Sequence, residues 1–138
     1  MGDIFEQLEL EVSSSIHIDR PVHSGGPVYP ELGLIIHSRS SAEWESSMAI
    51  SESLRLTSSR DILVDMARGR GPEQAFMTLG YAGWTAGQLE HEIQHNAWLT
   101  VPADHAILFT AQIKDKWRLA AQLLGIDMNH FSSQVGHA

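Results

Sequence analysis

His91-Glu92-Ile93-Gln94-His95 spells the pattern His-Glu-x-x-His. On a helix that spacing puts two imidazoles on one face to bind zinc, with a glutamate placed to activate the metal-bound water. Three features weigh against that chemistry here. The apolar stripe of the segment is Leu89, Ile93 and Ala97; at ~100° per residue, His91 and His95 point away from it, toward solvent. Position 98 is Trp98 and position 101 is Val101, where the extended metzincin pattern has glycine and a third histidine. The later acids, Asp104, Asp115 and Asp127, offer no obvious ligand from a second helix. A short pattern with two free positions also arises by chance in a chain with eight histidines. No metal and no catalytic residue set is therefore expected.

A different row of that helix carries more weight. Gln88, Glu92 and Asn96 lie at i, i+4 and i+8, bordering the apolar stripe, and are expected to be half-buried. Buried polar groups need partners, so the plainest role is a hydrogen-bonded network; a ligand or partner site is the alternative. Trp84 and Trp98 bracket the row, each an expected core anchor whose indole N–H requires an acceptor. Gly25-Gly26-Pro27 could aim backbone N–H groups at an anion, although such a tripeptide is usually only a turn. Ser58 and Ser59 could hold a phosphate at a helix start, where serines mostly serve as caps. No G-x-S-x-G elbow, P-loop or G-x-G-x-x-G loop is present.

The elements that must position these residues are punctuated by turn and cap signals. Helical spacing over residues 3–10 is followed by an extended region, 16–23, broken by Pro21 and closed by the Ser24–Pro27 turn. Residues 34–37 read as a strand, and 48–50 with 54–56 as a hairpin or two short strands. Ser58 opens a capping box ahead of the Ile62, Leu63, Met66, Ala67 stripe, and that helix stops at Gly69. Residues 75–81 are apolar nearly throughout and predict a central strand. Thr85 to Gln88 is a second capping signature, opening a helix that Asn96 closes. Short extended pieces are expected at 98–101 and 106–109, then a helix capped by Asp115 and stopped by Gly125, and a polar tail. Strands with hairpins among three or four helices predict an α+β fold in a single domain, 1–138.

Composition narrows the function classes. With 138 residues and 43% hydrophobic content, the chain buries roughly 68% of its unfolded surface. It has no cysteine, which removes disulfides, thiolate metal sites and a cysteine nucleophile. No apolar run is long enough to span a membrane and no leader pattern opens the chain, so a cytoplasmic location and no membrane partner are expected. Nine Lys and Arg against seventeen Asp and Glu give a net charge of -8, which disfavours direct DNA binding. The dense basic stretch Arg68-Gly-Arg70 reads as a solvated turn.

Several segments, in order, carry a resemblance: Ser24-Gly-Gly-Pro-Val28, Gly33-Leu-Ile-Ile-His37, Thr57-Ser-Ser-Arg-Asp61, Leu79-Gly-Tyr-Ala-Gly-Trp84, Gly87-Gln-Leu-Glu90, Asn96-Ala-Trp-Leu99, Pro102-Ala-Asp104, Leu124-Gly-Ile-Asp127 and the closing Gly136-His137-Ala138. Together they resemble the bacterial AlgH/YqgE family over nearly the whole chain. The family pattern uses Gln88, Glu90, Glu92, Asn96 and Trp98 and does not require histidine at 91 or 95. With Gly25, Gly26, Pro27, Trp84 and His137, these residues form a family-signature cluster, a candidate ligand or partner site. The resemblance implies an α+β fold with a mixed, bifurcated sheet curled into a pseudo-barrel, and a regulator of transcription with no demonstrated catalytic chemistry and no cofactor. Since direct DNA binding sits poorly with the charge, action through a protein or small-ligand partner is the expectation. The alternatives are an enzyme using the Glu92 region, or a direct nucleic-acid binder with sharply segregated charge. Family members usually begin with two strands and a helix that this chain lacks. An open sheet edge left by their absence predicts a two-fold homo-oligomer.

Overall fold

The computed structural model describes residues 22–125. The expected helix at 3–10, most of the extended region before Val22, and His137 lie outside them. The chain divides into two compact units, residues 1–82 and 83–138.

Among the described residues the first unit is a five-stranded mixed sheet with one helix on a face. Its strands are β1 (Val22–Ser24), β2 (Val28–Ser38), β3 (Ser47–Ala49), β4 (Leu54–Thr57) and β5 (Ala75–Tyr81), in the spatial order β1-β5-β2-β4-β3. β1 runs parallel to β5, and every other pair is antiparallel. The α+β class is as the sequence predicts, and the mixed sheet is as the family resemblance implies. Among the described residues the sheet is open from β1 to β3 rather than closed into a pseudo-barrel. β5 is interior, as its apolar run requires, and β3–β4 is the expected hairpin.

Alternation decides what faces the helix. Ile35 pairs with Met77 on one side and Thr57 on the other, and His37 pairs with Ala75 and Arg55. With a side-chain period of two, these residues share one face. Helix α1 (Arg60–Ala67) lays Ile62, Leu63, Met66 and Ala67, the stripe read from sequence, against it; with Trp44 they complete the core. The start of α1 differs from the capping-box reading. Ser59, not Ser58, is the N-cap residue, and its hydroxyl donates to Asp61 and accepts from Ser46 N–H. Ser58 instead donates its N–H to Ser46 O. The cap serine thus ties the helix to the preceding loop. The end is as predicted: Gly69 is left-handed, with Gly69 N–H to Met66 O and Arg70 N–H to Asp65 O completing a Schellman turn.

β2 is longer than the four residues its apolar run suggests, because it leaves and rejoins the β5 ladder. Its register jumps between Val28 and Gly33, and Tyr29 there has φ 42°. Opposite, the β1–β2 loop presses its backbone onto β5. A Cβ on Gly25 would lie 2.2 Å from Gly80 O, one on Gly26 2.4 Å from Tyr81 C, and one on Gly80 2.4 Å from Gly26 O. Gly25 N–H donates to Leu79 O at 2.8 Å, so that amide serves the sheet and not an anion.

The second unit holds α2 (Gln88–Gln94), a π-helical turn (Ala106–Thr110) and α3 (Ile113–Leu123). The strand expected at 106–109 is thus a helical turn, closed by Ala111 N–H to Ala106 O. Asp104 causes it: its carboxylate accepts Ile107 N–H and its carbonyl accepts Leu108 N–H, which winds the apolar run that follows. Residues 98–101 are irregular rather than extended in a ladder. Gln112 is the N-cap of α3, so Asp115 falls in its first turn, near the positive end of the helix dipole. Gly125, with φ 73°, stops α3 as predicted. Among the described residues no helix is long and apolar enough to cross a membrane.

The glycine crossing sets a sharp test. Gly80 has φ 75° and backbone on both sides, whereas a Cβ on Gly83 would meet nothing within 4 Å. Gly80→Ala is expected to destabilise by about 1–3 kcal/mol and Gly83→Ala by only a few tenths. Urea midpoints of the two variants compare them directly; equal midpoints would count against this crossing.

Candidate functional site

The family-signature residues of the second unit are organised by one carboxylate. Trp84 precedes α2, Glu92 lies in its middle and Trp98 follows it. Both indoles reach back to the same atom: Trp84 Nε1 donates to Glu92 Oε2 at 2.6 Å and Trp98 Nε1 at 3.0 Å. Their rings meet edge to face, centroids 5.7 Å apart at 77°. Each tryptophan thus has the acceptor its buried part demands. Among the described residues no donor reaches Glu92 Oε1. Trp84 is 37% exposed and Trp98 is half-buried.

The local sequence explains how α2 is held in that pose. Gln88 Oε1 accepts Thr85 N–H at 3.0 Å and the Thr85 hydroxyl at 3.2 Å, one half of the capping box read from sequence. The helix itself starts after Gly87, which is left-handed at φ 80°. Asn96 closes the helix as expected: at φ 61°, with Asn96 N–H to Ile93 O and Ala97 N–H to Glu92 O, it forms a Schellman turn. That turn directs the chain back so that Trp98 meets Glu92. The half-buried row is corrected, however. Gln88 and Asn96 are exposed, working through helix ends rather than through burial, and only Glu92 is half-buried. Glu90 is exposed.

His91 and His95 are both exposed, with ring centroids 4.2 Å apart, and His95 Nδ1 lies 2.8 Å from His91 O. In a zinc peptidase the glutamate of the motif faces the metal-bound water. Here Glu92 Oε2 faces two indoles. Among the described residues no three His, Asp or Glu side chains are grouped to hold a metal ion. Gly25, Gly26 and Pro27 belong to the first unit, in the crossing over Gly80.

The first unit holds a polar chain that the motif search missed. His37 and Thr57 are fully buried. His37 Nδ1 lies 2.9 Å from Ser38 O, which can only accept, so Nδ1 carries the proton. Nε2 then accepts the Thr57 hydroxyl at 2.8 Å, and Thr57 Oγ1 accepts the Ser47 hydroxyl at 2.6 Å. Trp44 packs edge-on against His37, centroids 5.2 Å apart, and donates to Asp65 Oδ2 at 2.9 Å. Burial would raise the Asp61 carboxyl, but donors from Ser59, Glu45 N–H and Ile62 N–H outweigh it and hold it low. Burial pushes the His37 imidazole below its ordinary 6.5, and Arg55 adds to the effect, against the Ser38 carbonyl. One signal was legible: His37 follows Ile35 by two in a strand, hence on the same buried face. Two open clefts of about 420 Å³ flank this region, one walled by Ile35, Leu63, Met77 and Leu79 beside Ser59, the other by His37, Trp44, Ser47, Arg39 and Arg55.

An α+β protein with an open mixed sheet, and a second unit built around a tryptophan-clamped carboxylate, is the class that these features define. A model of the AlgH-like family matches residues 1–129. The chain is similar to a UPF0301 protein of Saccharophagus degradans, 49% identical over 138 residues, covering 100% of this chain and 67% of that one. It is 44% identical over 137 residues to a UPF0301 protein of Methylococcus capsulatus, covering 99% and 72%. The solution structure of the AlgH protein from Pseudomonas aeruginosa superposes with a TM-score of 0.73 at 38% identity, over 99% of this chain and 72% of that one. The chain belongs to the AlgH-like family.

Two outcomes follow from the two networks. Glu92→Ala leaves two indole donors without an acceptor, and because Trp84 is partly exposed the expected loss is near the lower end of about 1–3 kcal/mol. A urea titration reads it, and an unchanged midpoint would mean that the clamp contributes nothing to folding. For His37 the folded state disfavours the charged imidazole, so the unfolded chain binds the extra proton first. Its contribution is complete above about pH 6.5 and is lost as pH falls toward the folded value. The His37 ring resonance should titrate below 6.5; a midpoint at or above it would sink the assignment.

Proposed function

We propose that this chain is a non-enzymatic, regulatory protein of the cytoplasm, affecting transcription through a protein partner that docks on its second unit around Trp84, Glu92 and Trp98. One observation carries the reading: the acid of the His-Glu-x-x-His pattern is engaged by two indoles, one of which stays 37% exposed. A general base needs its carboxylate aimed at a reacting proton, and this one is aimed at structural donors. Large apolar side chains presented nearby in sequence, Ile93 at 36% and Leu99 at 47% exposure, suit contact with a protein. Aromatic residues with a polar tip are the usual anchors of such contacts. The net charge of -8 supports an indirect route to gene expression over binding DNA itself.

The test changes the surface and leaves the clamp alone. Ile93→Glu with Leu99→Glu is expected to keep the urea midpoint within about 0.5 kcal/mol. The same double variant should abolish the transcript changes that the unaltered chain causes when it is overexpressed in its own cells. Unaltered transcript changes with the double variant would overturn the docking reading. Gel-shift binding of genomic fragments that survives about 150 mM salt would overturn the indirect one.

A further inference from the structure

The clamp leaves two features that point to one kind of ligand. Both indoles bond Glu92 Oε2, so Oε1 of the same carboxylate has no donor among the described residues. Beside it stand two indole rings at 77°, one of them 37% exposed. An indole face attracts a cation through its ring quadrupole, and a carboxylate next to it adds direct charge. Apart from its histidines, the local sequence carries formal charge of one sign. Between Arg70 and Lys114 the chain has no Lys or Arg and carries Glu73, Glu90, Glu92 and Asp104. Within the second unit the nearest Lys or Arg in sequence is Lys114, and His91 and His95 beside Glu92 are exposed.

Resting on the docking reading above, we infer that this site takes a guanidinium group, an arginine of the partner protein, stacked on the Trp84 indole and donating an N–H to Glu92 Oε1. Guanidinium fits better than ammonium because it is planar, stacks on aromatic rings and is weakly hydrated. Glu92 then has two roles on two oxygens: Oε2 holds the tryptophans and Oε1 meets the ligand.

The probe is a short acetylated, amidated peptide of leucines and two arginines, titrated into the full chain at about pH 8. The readout is the set of indole N–H resonances, each assigned by its single substitution. The Trp84 and Trp98 resonances should shift saturably, with those of Trp44 and Trp117 unmoved. A peptide with glutamine for arginine should bind about five- to tenfold more weakly. Glu92→Gln, whose amide oxygen can still accept the indoles, should weaken the arginine peptide by a similar factor. If that variant loses its dispersed indole signals, Trp84→Leu serves in its place and should abolish the Trp98 shift. Equal binding of the glutamine peptide would sink the guanidinium inference and leave apolar docking standing. No saturation by either peptide up to about 5 mM would count against both. Tetramethylammonium shifting the same resonances more strongly than the arginine peptide would overturn the choice of cation.

Discussion

A donor removed from water must find an acceptor, and in both units that requirement decides which side chains meet. In the second unit two indole N–H groups converge on Glu92 Oε2. With the Asn96 turn, that carboxylate brings the chain before α2 and the chain after it to the same place. In the first unit the Trp44 indole finds Asp65, while His37, Thr57 and Ser47 satisfy one another in a row. Each acceptor sits on or against a regular element, so a loop bearing a large aromatic ring is fixed by one polar contact. The consequence is economy of acids. Asp65, Asp61 and Glu92 are all engaged with donors from their own unit.

Backbone proximity is the second constraint, and it acts where side chains are absent. Gly25 and Gly26 cross Gly80 and Tyr81 so closely that a single added carbon has no room. The gain is a β1 strand that returns parallel to β5 while β2 leaves antiparallel from the same end, across a loop of three residues. The bulged stretch from Tyr29 to Leu32 belongs to the same crossing, since β2 must step away from β5 where Gly80 turns left-handed. A glycine pair that could have been read as an anion nest is instead needed for close packing.

How much of this could be read beforehand depends on the range of the signal. Helix ends were legible because they are local: Gly69, Asn96 and Gly125 all adopt the left-handed turn that stops a helix. The stripe of α1 and the interior position of β5 were legible through periodicity. Residues 106–109 misled because a short apolar run is neutral between strand and helix, and the carboxylate of Asp104, outside the run, decides. The Ser58 reading was off by one residue, and the Ser59 hydroxyl makes no cap bond because it accepts Ser46 N–H, thirteen positions before it. The need of Trp84 and Trp98 for acceptors was legible, but that one oxygen serves both was not. Distance in sequence hid the Ser47–Thr57–His37 chain altogether, since only strand register brings it together.

The histidine-glutamate pattern shows why a motif needs its geometry. Glu92 and the two histidines share a helix, yet their environments diverge within a turn: the glutamate is half-buried under indoles and the histidines are exposed. The carboxylate of Glu92 already accepts two indole N–H groups on Oε2. The same bonds make it a better fixed anion, since its position is held and no reorganisation is needed when a cation arrives. An acid anchored by aromatic rings, in a stretch with no Lys or Arg from 71 to 113, is the feature on which the proposed recognition role rests. The arrangement that weakens the catalytic reading strengthens the binding one.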